Sequence, residues 1–568
     1  MRSPVSVSAA LFSCFLLAGS TVAQGHPAGP ITFEEIAARA GLDFTTQSSP
    51  TPNKNQIETM VAGVALLDYD GDGYMDIYLV NGAAIPSLEK EGPKYSNRLF
   101  HNNHDMTFTD VTEKAGLAGA GFGMGVAVGD YDNDGWPDIY LPSVRGNQLF
   151  HNNGDGTFTD VTAKAGVSGG KFDGKKMWSV SAAWIDYNND GLLDLFVSNY
   201  VKWEVNKDPL CGSTSVRGYC GPMFYDPLPN TLYRNNGDGT FTDVSEETGI
   251  SKILNKGMGI AIADYDGDGY PDIFIANDNS PNILLHNIQG KRFEEVGANA
   301  GVAYNEEGTA VAGMGTDFRD VNNDGKPDIW LTALPAQTFP LFYNRGHGVF
   351  ENVTTRSGLA WQTLEMSGWS NGIYDFDNDG WKDLFVARSN VLDTIELISS
   401  RKYPEPNAVL RNLGNGNFKD VSSTAGPEFQ IPGLHRGAAF GDLDNDGRVD
   451  VVVSVLNGKV KLFHNTTANQ NHWILLQLRG TKSNRMGIGA RIRVTTPDGL
   501  NQYNQVSTSV GYASSSDVRV HFGLGSSKTA KEIQILWPSG NQQTLHNVAG
   551  DRIVPIEEPQ QSESPAAK

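Results

Sequence analysis

The sequence predicts an all-β protein: a seven-bladed β-propeller followed by a small β-sandwich-like domain. Three observations predict it. An acidic nine-residue loop occurs seven times, each copy lies between two apolar strands, and a strand–turn–strand pattern follows the copies. Four antiparallel strands repeated radially build a propeller blade. At 568 residues the chain is also too long for one simple core.

The loops are DYDGDGYMD from Asp68, DYDNDGWPD from Asp130, DYNNDGLLD from Asp186, DYDGDGYPD from Asp264, DVNNDGKPD from Asp320, DFDNDGWKD from Asp375 and DLDNDGRVD from Asp442. Oxygens at positions 1, 3 and 5 fall on alternate residues of a tight turn and converge on one point. Gly at position 6 permits the turn, the position-7 carbonyl adds an oxygen, and Asp at position 9 closes the shell. An all-oxygen set suits a hard cation of calcium's size, so up to seven calcium ions are expected, one per blade.

The ligands would be Asp68, Asp70, Asp72, Tyr74 and Asp76 in the first loop, and Asp130, Asp132, Asp134, Trp136 and Asp138 in the second. Asp186, Asn188, Asp190, Leu192 and Asp194 serve the third, and Asp264, Asp266, Asp268, Tyr270 and Asp272 the fourth. Asp320, Asn322, Asp324, Lys326 and Asp328 serve the fifth. Asp375, Asp377, Asp379, Trp381 and Asp383 follow in the sixth, and Asp442, Asp444, Asp446, Arg448 and Asp450 in the seventh. Loops three and five, with Asn at position 3, are expected to bind most weakly. An EF-hand needs Glu at position 12 and flanking helices. Here position 12 is Leu79, Leu141, Val197, Ile275, Leu331, Val386 or Val453, and the flanks read as strands.

A small-residue strand precedes each loop, as in GMGVAVG at Gly123–Gly129, and IYL, LFV or IFI follows it. A third strand carries LF-x-N or a close variant, before Asn102, Asn152, Asn235 and Asn412, and Asn/Asp-Gly hairpins open a fourth. Fourth-strand copies reach seven only when Thr32–Ile36 is counted, and the seventh blade, whose third strand is Val460–Asn465, lacks its own. The N-terminal strand is therefore expected to complete the last blade of a ring over 30–466, leaving no free edge. Met124, Met258 and Met314 recur six residues before their loops and read as pore lining.

The formal charge of −21 invites a cationic partner, but the seven loops hold 26 of the 65 carboxylates, leaving 39 against 44 Lys and Arg. The acidity is thus mostly ligand charge, and with no basic stripe nucleic acid is not an expected partner. Residues 1–23 read as a secretory signal, with Arg2, an apolar run from Val5 to Leu17 and a small-residue site at Ala23. No later stretch has transmembrane length. With Cys14 removed, Cys211 and Cys220 remain, and in an oxidising compartment they are expected to pair. The expected location is secreted, periplasmic or extracellular.

These repeats resemble the FG-GAP/VCBS family, whose propellers carry such calcium loops, as in integrin α-chain heads. In the tail, GTKSNRMGIGARIRV from Gly480, GYASSSDVRVHFGLG from Gly511 and ILWPSG from Ile535 resemble the ASPIC/UnbV domain. Together they look like a bacterial-type relative of the cartilage acidic protein family. That resemblance implies a secreted, calcium-binding, non-enzymatic protein. Alternation in Ile474–Leu478, Arg491–Val494, Val518–Phe522 and Ile533–Trp537 independently reads as a small β domain over 471–556, with 557–568 a disordered tail.

Regularity is strong on the calcium-loop face and fails on the other, at the inserts Gly82–Ser96, Asn199–Pro229 and Arg388–Pro406. Scaffold-borne loops of this kind carry recognition. Trp178, Trp203, Trp369, His435 and Arg436 are the candidates there for an extracellular glycan or protein ligand, with blade packing as the alternative role. A carbohydrate-active lyase or dehydratase is the alternative function; His435 is then the best base, but no partner at a meaningful spacing identifies a reaction.

Overall fold

A computed structural model describes residues 30–212 and 216–560. The proposed signal segment and residues 561–568 lie outside them. Seven four-stranded antiparallel blades form the ring. Blade one, for example, runs Val64–Leu67, Asp76–Leu79, Arg98–Asn102 and Phe108–Asp110. Blade four runs Gly257–Ala263, Asp272–Asn277, Ile283–Ile288 and Arg292–Glu295. Innermost strands are buried along their whole length, so they read as unbroken apolar or small-residue runs, without the alternation of a half-exposed strand.

Each innermost strand touches the next around the circle, and the seventh returns to the first. Closure occurs in blade seven, where Phe33–Glu35 pairs with Lys461–Asn465 in the register Phe33↔Asn465. The expected N-terminal clasp is present. Met124, Met258 and Met314 line the pore in one cluster with Trp178, Trp369, Tyr512 and Ala513.

The tail folds as two sheets. One pairs Val520–Gly525, His472–Arg479 and Arg552–Glu557; the other orders Asn501–Gln505, Arg491–Thr495, Thr529–Leu536 and Gln542–Ala549. Its core is continuous with blades two and three: Ile474, Val494 and Trp537 share a cluster with Tyr131 and Trp184. The last strand reaches Glu557, and Glu558 is buried, accepting N–H bonds from Thr481, Lys482 and Ser483 at 2.9 Å. The Ser539 hydroxyl and these N–H donors hold its carboxyl down at about 2 despite its burial. The disordered tail expected from 557 thus begins too early.

The pore is filled. A hairpin at Thr508–Asp517 enters it from the calcium-loop side. Gly511 exchanges backbone hydrogen bonds with Thr316, Val126 N–H reaches the Ala513 carbonyl, and Asp517 N–H reaches that of Phe440. Ser515 pairs in parallel with Ala65. At the tip, the fully buried Tyr512 donates its hydroxyl to the Met60 carbonyl at 3.0 Å and sets its ring edge-on to Trp369 at 5.2 Å.

Candidate metal centres

Each loop is organised by its first and last carboxylates. Position 1 accepts the N–H of the position-6 glycine, for instance Gly135 to Asp130 at 2.9 Å and Gly380 to Asp375 at 2.8 Å. These glycines have φ between 86° and 101°, a region closed to most side chains. Position 9 accepts two backbone N–H groups, as Asp76 does from Tyr69 at 3.1 Å and Asn102 at 2.8 Å.

Two side-chain ladders then tie loop to loop, and neither was legible in the repeat pattern as a cross-blade contact. The Asn that ends each third strand donates to the position-2 carbonyl of the preceding blade. Asn152 bonds Tyr69, Asn235 bonds Tyr131, Asn344 bonds Tyr265, and Asn102 closes the circle on Leu443. Position-4 asparagines reach forward: Asn133 to the Gly191 carbonyl, Asn378 to Gly447, Asn445 to Gly73.

The residues fit a bound cation. The position-3 oxygens Asp70 Oδ1, Asp444 Oδ1 and Asp377 Oδ1 are buried without a hydrogen-bond partner. Asp68, Asp70 and Asp76 converge with candidate ligand oxygens within 4.8 Å of one another. Burial pushes the carboxyls of Asp76, Asp130, Asp138, Asp186 and Asp272 up to about 7. Asp194, Asp328, Asp375, Asp383 and Asp442 are also raised well above the ordinary carboxylate value by burial. A divalent ion would compensate these groups together.

The seven sites are not equivalent. In four blades a histidine of the third strand places Nδ1 3.0 to 3.3 Å from the position-9 carboxylate: His101, His151, His286 and His464. Blade six has Arg411 there instead, with its guanidinium 2.8 Å from Asp377 and 3.1 Å from Asp379. That loop therefore carries an internal cation between two of its own candidate ligands. In blade three, Asn188 donates its amide N–H to Asp190 at 2.9 Å, while its amide oxygen accepts the Asp190 N–H at 3.2 Å.

The five ligand-binding candidates on the irregular face need correcting. Trp178, Trp203, Trp369, His435 and Arg436 are all buried and present no surface as folded. Trp369 and Arg436 stand six residues before their loops, the register of the pore methionines, a signal that could have placed them in the pore. Arg436 stacks on Trp369 at 4.0 Å and donates to the Thr59 carbonyl at 2.7 Å; burial lowers it to about 10. His435 contacts the Arg388 carbonyl, and burial lowers it to about 4. In the tail, Asp517 is bound by Arg519 and His521 contacts the Gly447 carbonyl, so Ser514, Asp517 and His521 form no triad.

Cys211 and Cys220 form the expected disulfide within the longest insert. Exposed apolar side chains on the two long inserts include Leu210, Met223, Phe224, Leu397 and Ile398. No helix among the described residues is long and apolar enough to cross a membrane.

The FG-GAP-like repeat pattern matches residues 68–141, 143–197, 223–275, 264–331, 320–386 and 375–453. The ASPIC and UnbV pattern matches 480–563. Cartilage acidic protein 1 of Mus musculus is 25% identical over 536 residues, covering 90% of this chain and 76% of its own. The Homo sapiens protein of that name is 24% identical over 547 residues, covering 92% and 76%. A solved lectin from Agrocybe aegerita, described as recognising non-reducing terminal N-acetylglucosamine, is 16% identical. It covers 70% of this chain and 87% of its own, at a TM-score of 0.39, too low for sites to be compared.

Proposed function

Because the chain belongs to the FG-GAP-like repeat family and carries an ASPIC and UnbV domain, we propose that it is a secreted, calcium-stabilised scaffold that binds an extracellular glycan or protein. In this reading 30–466 is the calcium ring and 471–556 the domain seated on it, and neither is an enzyme. The observation that carries the proposal is the pair of buried position-3 oxygens without hydrogen-bond partners, Asp70 Oδ1 and Asp444 Oδ1, in loops where burial raises Asp76 to about 7 and Asp442 well above its ordinary value. Such loops cost stability when empty. An ion present at a hundredfold over its dissociation constant returns about 2.7 kcal/mol. The Cys211–Cys220 bridge agrees with an oxidising compartment, and the exposed apolar residues of the inserts agree with recognition.

Thermal unfolding with and without chelator tests the calcium claim. Melting temperature falls in EDTA and recovers with calcium far better than with magnesium, which keeps more of its water. An unchanged melt after the metal is shown to have left would overturn the proposal.

A further inference from the structure

The tail's four-stranded sheet has two unlike faces. Ile492, Val494, Ile533 and Ile535 point into the core. Strand alternation sends Arg491, Arg493, Tyr503, Gln505 and Gln534 to the other face, and the registers Arg491↔Gln505, Arg493↔Tyr503 and Arg493↔Gln534 set them side by side. That polar face looks across a cleft of about 720 Å³ at loops four and five, with Lys326 and Arg345 on the far wall. The size is that of a small-molecule site.

The charge of the cleft depends on the loops beneath it. Arg491 is held by Asp264 at 2.8 Å and Lys326 by Asp324 at 3.4 Å, and both carboxylates belong to candidate ion sites. An ion that engages them leaves both cations free to meet another anion. Arg493 pairs with Glu532 at 2.8 Å, yet its Nε is buried without a partner. Gln542, Gln543 and Thr544 line the cleft from the sheet edge opposite Tyr503, and Asp266 and Asp320 of loops four and five also line it. Amides that donate and accept suit sugar hydroxyls, a tyrosine face suits a sugar ring, and guanidinium suits carboxylate or sulfate.

We propose that this cleft binds an acidic saccharide through its carboxylate or sulfate groups. The inference rests on the calcium-scaffold reading, which supplies the free cations. It is tested on the full-length protein in millimolar calcium, with bound ions counted by mass spectrometry. At fixed ionic strength the protein is titrated calorimetrically with a galacturonate tetrasaccharide, a sulfated tetrasaccharide and a neutral glucan tetrasaccharide.

An acidic saccharide is expected to bind at least about tenfold more tightly than the neutral one, and the tighter of the two acids identifies the anionic group. Arg493→Gln, Tyr503→Ala and, from the opposite wall, Arg345→Gln each weaken it about tenfold with ion count and melting unchanged. Failure of both acidic saccharides, variants that bind like the wild type, or a tetra-aspartate peptide binding equally well overturns the proposal. Saccharide failure with full ion occupancy refutes this inference alone; absence of bound ions refutes the scaffold reading and this inference with it.

Discussion

Tyr512 is the side chain on which the union of tail and ring most directly depends. It is fully buried, lies in one cluster with Met60, Met124, Met258, Met314 and Trp369, and bonds the Met60 carbonyl at 3.0 Å. Replacing a buried aromatic by Ala typically costs about 3–5 kcal/mol, through lost burial and the cavity left behind. Tyr512→Phe keeps the packing and removes one hydroxyl, for about 1 kcal/mol, or more where the abandoned carbonyl finds no new partner. Urea unfolding resolves the two, and the edge-on Trp369 makes tryptophan fluorescence a local reporter. Limited proteolysis should cut the Thr508–Asp517 hairpin faster in Tyr512→Ala than in the wild type, because its anchor is gone. Stability of Tyr512→Ala within about 0.5 kcal/mol of wild type would refute the argument that the hairpin locks the ring. Equal losses for Ala and Phe would assign the effect to the hydroxyl instead of the packing.

Three further outcomes are expected. Asp264→Ala removes one ion while the ring persists, since repeated units interact mainly with their neighbours; an unchanged ion count contradicts the ligand set. Arg411→Ala unmasks the sixth loop and raises the calcium content by one ion or tightens the weakest site; identical calcium titrations would show that the guanidinium does not compete. Ion-stripped protein is expected to lose stability as pH rises from about 4 to about 7. Asp76, Asp138 and Asp272 are raised to about 7 when folded, against about 3.9 unfolded. They therefore take up protons on folding, and that stabilisation is full below about pH 4 and lost as pH passes about 7. Calcium, by holding the carboxylates ionised, should abolish the loss; a flat or rising melting curve in EDTA would count against it.

The acidic loops were legible because their chemistry is local. Every candidate ligand of one ion lies within nine consecutive residues, and a turn of that length converges without help from distant parts of the chain. Ring closure was legible for a different reason: counting repeat units exposed one fourth strand at the wrong end. Long-range contacts were not. The hairpin at Thr508–Asp517 meets strands up to several hundred residues earlier, and nothing in its own sequence says that it fills a pore. Its trace was present elsewhere, in the small residues five before each loop: Gly63, Gly125, Ser181, Gly259, Gly315, Ser370 and Gly437. A Cβ on Gly259 would lie 2.6 Å from the Gly511 carbonyl, and one on Gly437 2.2 Å from that of Ala62, so backbone needs that space. Trp369 and Arg436 read as recognition residues because an aromatic and a charge stand out against a repeat. Only the packed ring decides that they face its axis, where the tail's Tyr512 and the neighbouring strands cover them and burial overrides the surface role their chemistry suggests.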